Sequence, residues 1–389
     1  MGPSRVAVGR GGYLWPCMGV QPLRVLVVGQ TPPPYGGQAI MIERLLAGAT
    51  QRVHYHHVRL AFSEDMESVG KFQLGKVLVL FSTIARIFIA RFRFHTPVLY
   101  YPPSGPNMVP VLRDLILLCA TRWLFRRTVF HFHASGVSLF KERLPRVLRP
   151  LFVWAYGHPA LAIRTAAQNP DDGALLGASN SIVVPNGLPD MRGTVPERSA
   201  PANGPFTVLF TGVLVPSKGV LVLLEAFRSI RERGVDVRLE VMGKWGDADF
   251  KRTCEKFVAQ HGLSDHVRFL GVKKDTEKNL HFASCDVFCF PSYFEAESFG
   301  LVVAEAMQFA KPVVSTRWRG IPSVVEDGTS GFLVPIMDPV AVADRLFLLL
   351  GDAPLRQRMG EAGRCIFEER FTLQRFHQRM EEAFLGLHL

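Results

Sequence analysis

The feature that most constrains this 389-residue chain is a repeated alternation of short apolar runs with helical patterns. Strands that alternate with helices pair in parallel, because each helix carries the chain back across the sheet. The pattern therefore predicts an α/β protein with doubly wound parallel sheets. In the first half, strands are predicted at Arg24 to Gly29, Pro97 to Tyr101, Thr128 to His133 and Ser181 to Pro185.

The alternation stops in a polar stretch rich in Pro and Gly and then starts again. A chain of this length is too long for one ordinary core, so two domains are expected. We predict a Rossmann-like N-terminal domain over residues 18–190, a linker over 191–205 and a Rossmann-like C-terminal domain over 206–370. Residues 1–17 are interpreted as a disordered or non-native extension. Later strands are predicted at Thr207 to Thr211, Arg238 to Met242, Val267 to Leu270, Asp286 to Phe290, Pro312 to Ser315 and Gly331 to Val334.

The net charge of +11 is unevenly distributed along the chain. Residues 1–190 contain 20 Lys and Arg against 9 Asp and Glu, whereas residues 191–389 contain 25 of each. Such an asymmetry indicates that the first half faces an anionic partner. A nucleic acid is disfavoured, because no aromatic side chains interleave with a basic stripe.

Several classes of protein are excluded by what the sequence lacks. Six scattered cysteines form no CxxC pair, so neither a zinc site nor a disulfide framework is predicted. No apolar run reaches the roughly 18 residues that a transmembrane helix needs. No GxGxxG follows the first strand, which disfavours an NAD-linked oxidoreductase. A cytoplasmic protein without a bound cofactor is expected.

The sharpest local signal is the segment from Pro291 to Met307, PSYFEAESFGLVVAEAM. It follows an apolar strand, and a helix is predicted from Phe299 to Phe309 with Ser298 as its N-cap. The backbone amides of Phe299, Gly300 and Leu301 would then form an anion site at the helix start. This arrangement predicts a diphosphate site.

Two glutamates, Glu297 and Glu305, lie eight positions apart in this segment. Along a continuous helix the spacing corresponds to about 12 Å of axis, which suits an extended nucleotide sugar. Glu297 would meet the transferring sugar and Glu305 the ribose hydroxyls, which need an acceptor with two oxygens.

This Glu-x7-Glu segment resembles the motif of retaining glycosyltransferases of family 4, and the resemblance extends over nearly the whole chain. Gly36-Gly37 is similar to that family's N-terminal glycine pair, Val184-Pro-Asn-Gly187 to the segment before its linker, and Gly212 with Lys218-Gly219 to its phosphate loop. The resemblance implies the GT-B fold, with two Rossmann-like domains facing a central cleft. It also implies that residues 371–389 form a helix that returns to the N-terminal domain.

The donor site is completed by residues from both halves. Lys218, between a strand and a helix, is expected to reach the diphosphate and stabilise the departing nucleotide. Gly36 and Gly37 are expected to let bare backbone approach the donor. The family commonly has a histidine near the reaction centre, and this role is assigned to His133. The predicted catalytic residues are thus Glu297, His133 and Lys218.

One position departs from the family pattern. The usual arginine after the glycine of the phosphate loop is replaced by Val213. Leaving-group stabilisation would then depend on Lys218, the helix start and a substitute such as Arg317 or Arg319. No Asp-x-Asp metal signature is visible, so a metal-independent reaction is expected.

The resemblance implies transfer of a hexose-type sugar, with retention, from a UDP- or GDP-linked donor. The alternatives are a GT-B sugar-nucleotide epimerase and a donor-binding protein without transfer activity. Lys76 to Phe94 and Lys141 to Trp154 combine apolar and basic residues, as in helices that bind anionic membranes. The acceptor is therefore predicted to be a lipid-linked or polysaccharide precursor of the cell envelope, and the protein to be peripheral on the cytoplasmic face of the membrane.

Overall fold

The computed structural model describes residues 21–33, 35–60, 74–196 and 205–387. The predicted extension over residues 1–17 and most of the predicted linker lie outside these ranges. Within them the chain forms two parallel six-stranded sheets with helices on their faces. The predicted fold class, α/β with two doubly wound parallel sheets, is confirmed.

The first sheet has the order β2-β1-β3-β4-β5-β6, and every strand pair in it is parallel. Its strands are β1 (Leu23–Gly29), β2 (Val53–Arg59), β3 (Val98–Tyr101), β4 (Arg127–Phe132), β5 (Leu161–Arg164) and β6 (Ser181–Val183). The helices between them are α1 (Gly37–Ala47), α2 (Leu74–Arg93), α3 (Met108–Thr121), α4 (Arg149–Tyr156) and α5 (Asp172–Leu175).

The second sheet has the order β12-β11-β10-β7-β8-β9 and is also parallel throughout. Its strands are β7 (Phe206–Thr211), β8 (Val237–Met242), β9 (Val267–Gly271), β10 (Val287–Phe290), β11 (Val313–Thr316) and β12 (Gly331–Val334). Its helices are α6 (Val220–Glu232), α7 (Ala248–Gln260), α8 (Asp275–Ser284), α9 (Leu301–Gln308), α10 (Pro339–Gly351) and α11 (Ala353–Arg370).

The last helix, α12 (Leu373–Leu385), leaves the second sheet and packs on the first. Its buried residues Phe376, Met380 and Phe384 follow one face of the helix and belong to the same apolar cluster as Val25 and Tyr100 of the first sheet. The amphipathic pattern of this segment is explained by that contact, since its apolar face is covered by another domain.

Several elements differ from the sequence-based expectations, and the helices α5, α8 and α11 were not predicted. The strands β2 and β5 were not predicted either, and in β2 several polar residues interrupt the apolar pattern. The stretch predicted as a helix from Leu139 to Tyr156 consists of two 3-10 turns followed by α4. Pro145 stands between the two turns, where it cannot donate a helical backbone hydrogen bond.

In the part of the chain that the structure describes, no helix is long and apolar enough to cross a bilayer.

Candidate active site

The carboxyl ends of the two sheets meet through Ser298, in the loop after β10. The Ser298 hydroxyl donates a hydrogen bond of 2.6 Å to the backbone carbonyl of His133, directly after β4. The Ser298 carbonyl accepts hydrogen bonds from Thr165 Oγ1 at 2.9 Å and from Asn169 Nδ2 at 2.7 Å. Ligands of doubly wound folds bind beyond the carboxyl ends of the strands, so these contacts frame the candidate site.

A charged pair, Lys218 and Glu297, lies at the centre of the second domain's part of the site. Lys218 Nζ is 2.6 Å from Glu297 Oε2, and the two side chains are only 15% and 11% exposed. Ser292 Oγ donates to the same carboxylate oxygen at 3.2 Å. The ammonium also lies 4.4 Å from the centroid of the Phe294 ring. Two residues predicted to be catalytic are thus in direct contact.

Gly219 allows this contact to form. It has φ of +79°, and a Cβ at this position would lie 2.1 Å from the carbonyl oxygen of Pro291. Only glycine fits so close to the end of β10, because any side chain would push the two loops apart. The turn holding Lys218 is therefore pressed against the loop that carries Glu297.

The helix start differs from the prediction. The helix α9 begins at Leu301, and Gly300 precedes it in the left-handed conformation with φ of +77°. Ser298 does not cap the helix, because its hydroxyl is bonded to His133 instead. Since residues 297–300 are not helical, the estimate of about 12 Å along one helix axis does not apply to Glu297 and Glu305.

The glycine pair of the first domain lies opposite this helix start. Gly36 precedes α1 in an extended conformation, and Gly37 is the first residue of that helix. A Cβ on Gly37 would be 3.3 Å from Leu301 Cδ1, whereas no atom of the described residues lies within 4 Å of the corresponding point on Gly36. The two helix starts therefore face each other across the cleft.

Glu305 projects from the middle of α9 and is paired with Lys278 of α8. Lys278 Nζ is 2.6 Å from Glu305 Oε1. Burial lowers the pKa of Arg44 in α1 below its ordinary value, and the negative charge of Glu305 partly opposes this shift. Arg44 Nη1 donates to the carbonyl of Gly187 at 2.8 Å. Glu305 is thus placed between cations of both domains.

His133, directly after β4, lies beside a second histidine. Its ring centroid is 4.0 Å from that of His131, which hydrogen-bonds through Nδ1 to the Tyr100 hydroxyl at 2.8 Å. Burial lowers the pKa of His133 to about 3, and the same cause lowers the pKa of His131. Among the described residues, Nε2 of His133 has no hydrogen-bonding partner although it is buried. A neutral imidazole is therefore available for a ligand at neutral pH.

Of the two arginines expected to substitute for the missing one at Val213, only Arg319 is unpaired in the described part of the chain. Arg317 Nη2 donates to Asp327 Oδ2 at 2.7 Å, and both side chains are exposed. Arg319 has φ of +48°, and its Nε is buried without a partner. Strained backbone and unsatisfied polar atoms are common at ligand sites.

Two further predicted donor contacts are Gly212 and Phe299. Gly212 directly follows β7, and its amide donates to the carbonyl of Met242 at 3.1 Å. Phe299 is 1% exposed, and its ring packs edge-on against Phe371 at 5.4 Å. Any donor contact at Phe299 would therefore be made by its backbone.

Sequence reasoning missed Lys278, Arg44, Thr165 and Asn169. Lys278 and Arg44 are ordinary cations on amphipathic helices, and no local pattern marks them. Thr165 directly follows β5, so recognition of that short strand would have drawn attention to it.

Comparisons with known proteins agree with this geometry. Residues 192–365 match the family described as "Glycosyl transferases group 1". A phosphatidyl-myo-inositol mannosyltransferase of Mycobacterium leprae is 36% identical over 235 residues, which is 60% of either chain. A D-inositol 3-phosphate glycosyltransferase of Corynebacterium diphtheriae is 39% identical over 156 residues, covering 39% of this chain and 36% of the relative. The matched region thus spans 60% of the first relative's length and 36% of the second's, less than two thirds of either.

Solved structures match over a greater length. HepE from Anabaena, determined with UDP and glucose, superimposes with a TM-score of 0.69 at 18% identity, covering 93% of this chain and 99% of HepE. Sucrose-phosphate synthase from Thermosynechococcus elongatus gives 0.69 at 19% identity, with 94% and 98% covered. At such identities the likeness shows the fold alone. The chain therefore has the GT-B fold, and its residues 192–365 are similar to the glycosyl transferases group 1 family.

Proposed function

We propose that this chain is a retaining, metal-independent glycosyltransferase that moves a hexose-type sugar from a nucleotide-diphosphate sugar to a lipid-linked or polysaccharide-precursor acceptor. One observation carries the proposal. The Lys218–Glu297 pair, with Nζ and Oε2 2.6 Å apart, lies in the loops after β7 and β10, and the neighbouring Ser298 is bonded to His133 of the other domain. A cation, a carboxylate and a neutral imidazole are thus gathered where two sheets meet.

The donor diphosphate is placed between Lys218 and the start of α9. An ammonium has three N–H donors, so Lys218 can bind a phosphate oxygen while it still donates to Glu297. The amides of Gly300 and Leu301 supply further donors, and Gly36 leaves room on the opposite side. This arrangement neutralises the charge that develops on the departing nucleotide. Electrostatic stabilisation of this kind is usually the largest single contribution to lowering the activation barrier of an enzyme.

Glu297 and His133 are assigned to the sugar, and Glu305 to the ribose. Because the pKa of His133 is about 3, its imidazole is neutral and contributes hydrogen bonds rather than charge. Glu297 fixes sugar hydroxyls and stabilises positive charge on the anomeric carbon. The leaving phosphate itself takes the acceptor's proton, so that no separate base is required.

The names of the relatives support the proposed substrates. The mannosyltransferase of Mycobacterium leprae is named for a phosphatidyl-inositol, which fits a lipid-linked acceptor, and HepE was determined with UDP. These likenesses favour a nucleotide sugar as donor and leave UDP and GDP both open.

The test is release of free nucleotide from a panel of UDP and GDP sugars, with and without added acceptor lipids. Transfer predicts release that depends on the acceptor and falls about 10²–10³-fold in Lys218→Met. Conversion of the donor to an isomer without an acceptor would identify an epimerase instead. Binding without any turnover would identify a donor-binding protein. Retention is checked by NMR of the product anomer, and metal independence by full activity in the presence of a chelator.

A membrane-facing surface is proposed on the outer helices of the first domain. Four large apolar side chains of α2 are 60–74% exposed, and basic residues interleave with them. The segment before and within α4 adds Val147, which is 80% exposed, and Trp154, which is 51% exposed. Such a surface suits an anionic bilayer, where apolar side chains enter the interface and arginines meet the headgroups. The α2 residues are Leu78, Phe81, Ile89 and Phe92.

A further inference from the structure

A second concave site lies at the amino end of the first sheet, away from the cleft. It encloses about 1440 Å³ and is lined by residues at the start of β4, β5 and β6, including Thr128 and Leu161. The candidate active site lies beyond the opposite ends of these strands, at His133 and Thr165. We call this second site the amino-edge groove. Typical small-molecule sites hold roughly 300–1,000 Å³, so this groove has room for a larger ligand.

The groove combines cations with amphipathic aromatic side chains. Arg122, Arg126 and Arg127 lie along it, and Glu382 is the one carboxylate among its described lining residues. Trp123 is 62% exposed and Trp154 is 51% exposed. Tryptophan with arginine is the combination found at the boundary between lipid headgroups and acyl chains.

One of these cations is available for a ligand. Arg122 is committed to the structure, because its two Nη atoms donate to the carbonyls of Trp154, Ala155 and His158. The exposed guanidinium of Arg126 has no hydrogen bond or ion pair among the residues that the structure describes. Glu382 accepts a hydrogen bond from Gln378. Among the described residues, the groove therefore offers one free cation, Arg126, near Arg122, whose guanidinium is held by backbone carbonyls.

The groove is continuous with the exposed apolar face of α2. Phe88 of α2 packs edge-on against Trp123, with ring centroids 6.0 Å apart. Ile89 and Phe92 flank this contact and are 62% and 60% exposed. A ligand in the groove would thus lie at the rim of the proposed membrane surface.

We propose that the amino-edge groove binds the phosphate headgroup of an anionic membrane lipid, with Arg126 on the phosphate and Trp154 against the glycerol and upper acyl chains. The proposal extends the membrane association proposed above, and it assigns a lipid site that is separate from the donor cleft. Arginine beside a headgroup contributes about 1 kcal/mol, which corresponds to about fivefold in affinity.

The experiment is titration calorimetry of the full chain with monomeric dihexanoyl phosphatidylglycerol, dihexanoyl phosphatidylcholine and inorganic phosphate. We expect the phosphatidylglycerol to bind most tightly. Arg126→Gln should weaken its binding about fivefold, and Trp154→Ala should weaken it as well. Arg52→Gln, which removes an exposed arginine outside the groove, should leave it unchanged.

Equal binding of both lipids, or equal effects of Arg126→Gln and Arg52→Gln, would overturn the proposal. Inorganic phosphate that binds as tightly as the lipid would also overturn it, because the apolar half would then contribute nothing. Arg126→Gln should keep wild-type donor binding in a thermal-shift assay, and loss of donor binding would show that the groove is not a separate site. Because the lipid titration requires no turnover, failure of the transferase proposal would leave its result intact.

Discussion

Replacement of Lys218 by methionine isolates the charge of the central ion pair from its packing. Methionine keeps the length of the side chain but leaves Glu297 with Ser292 Oγ, at 3.2 Å, as its one remaining side-chain donor among the residues that the structure describes. Removal of one partner from a buried pair costs about 3–5 kcal/mol. Because 11% of the Glu297 side chain still reaches solvent, we expect the lower end, about 3 kcal/mol of unfolding free energy.

The reverse replacement, Glu297→Gln, should cost less. Lys218 keeps its contacts with the rings of Phe294 and Phe290, whose centroids lie 4.4 and 5.4 Å from Nζ. Cation–π contacts of this kind contribute about 0.5–2 kcal/mol, so the expected cost is about 1–2 kcal/mol. The double variant buries no unpaired charge. It should lose only about 1–2 kcal/mol rather than the sum of the two single costs.

Stability and activity should separate in this series. The double variant regains stability but lacks the cation, so its turnover stays about 10²–10³-fold below wild type. Urea unfolding midpoints and acceptor-dependent nucleotide release measure the two properties. Lys273→Met is the matched control, because its pair with Glu277 is also short, at 2.5 Å, but its carboxylate side chain is 59% exposed, so the pair should contribute only about 0.5 kcal/mol. A Lys218→Met loss no larger than that control, or an active double variant, would refute the reasoning.

Three further predictions concern the surroundings of this pair. Because burial lowers the pKa of His133 to about 3, the unfolded chain binds a proton below pH 6.5 that the folded protein excludes. The free energy of unfolding, measured with urea, should therefore fall by about 2 kcal/mol between pH 6.5 and about pH 5. His133→Asn should reduce the slope of unfolding free energy against pH. An unchanged slope would contradict the burial of this imidazole. Ser298→Ala removes the hydrogen bond to the His133 carbonyl and should lower the free energy of unfolding by about 1 kcal/mol. The loss in kcat/KM, expressed as free energy, should be larger, because the two domains are then less well aligned. Lys278→Met leaves Glu305 without its 2.6 Å partner and should raise KM for the donor with little change in kcat, whereas a selective loss of kcat would place Lys278 in the chemistry instead.

Much of the fold could be predicted because it depends on local patterns. Apolar runs that alternate with segments of helical periodicity specify the parallel α/β class, because each run forms a strand that is buried on both faces. The strand β2 was not predicted because it carries three histidines, and as an edge strand it pairs with one neighbour, β1. The start of α9 was placed too early, since Ser298 is a good N-cap in isolation and only its distant hydrogen bond with His133 shows otherwise.

The sequence by itself determined that the chain folds into two α/β domains and that Glu297 and Glu305 flank a strand-to-helix turn. Only the tertiary structure decided which side chains they contact. The strands β7 and β10 are neighbours in the sheet but not in the chain, and this order brings Lys218 to Glu297 across 79 positions of sequence. Glu305 of α9 likewise meets Lys278 of α8, 27 positions earlier in the chain, only in the folded structure. Contacts of this kind depend on strand order and helix packing, which arise from the summed burial of many residues, so no local pattern can encode them.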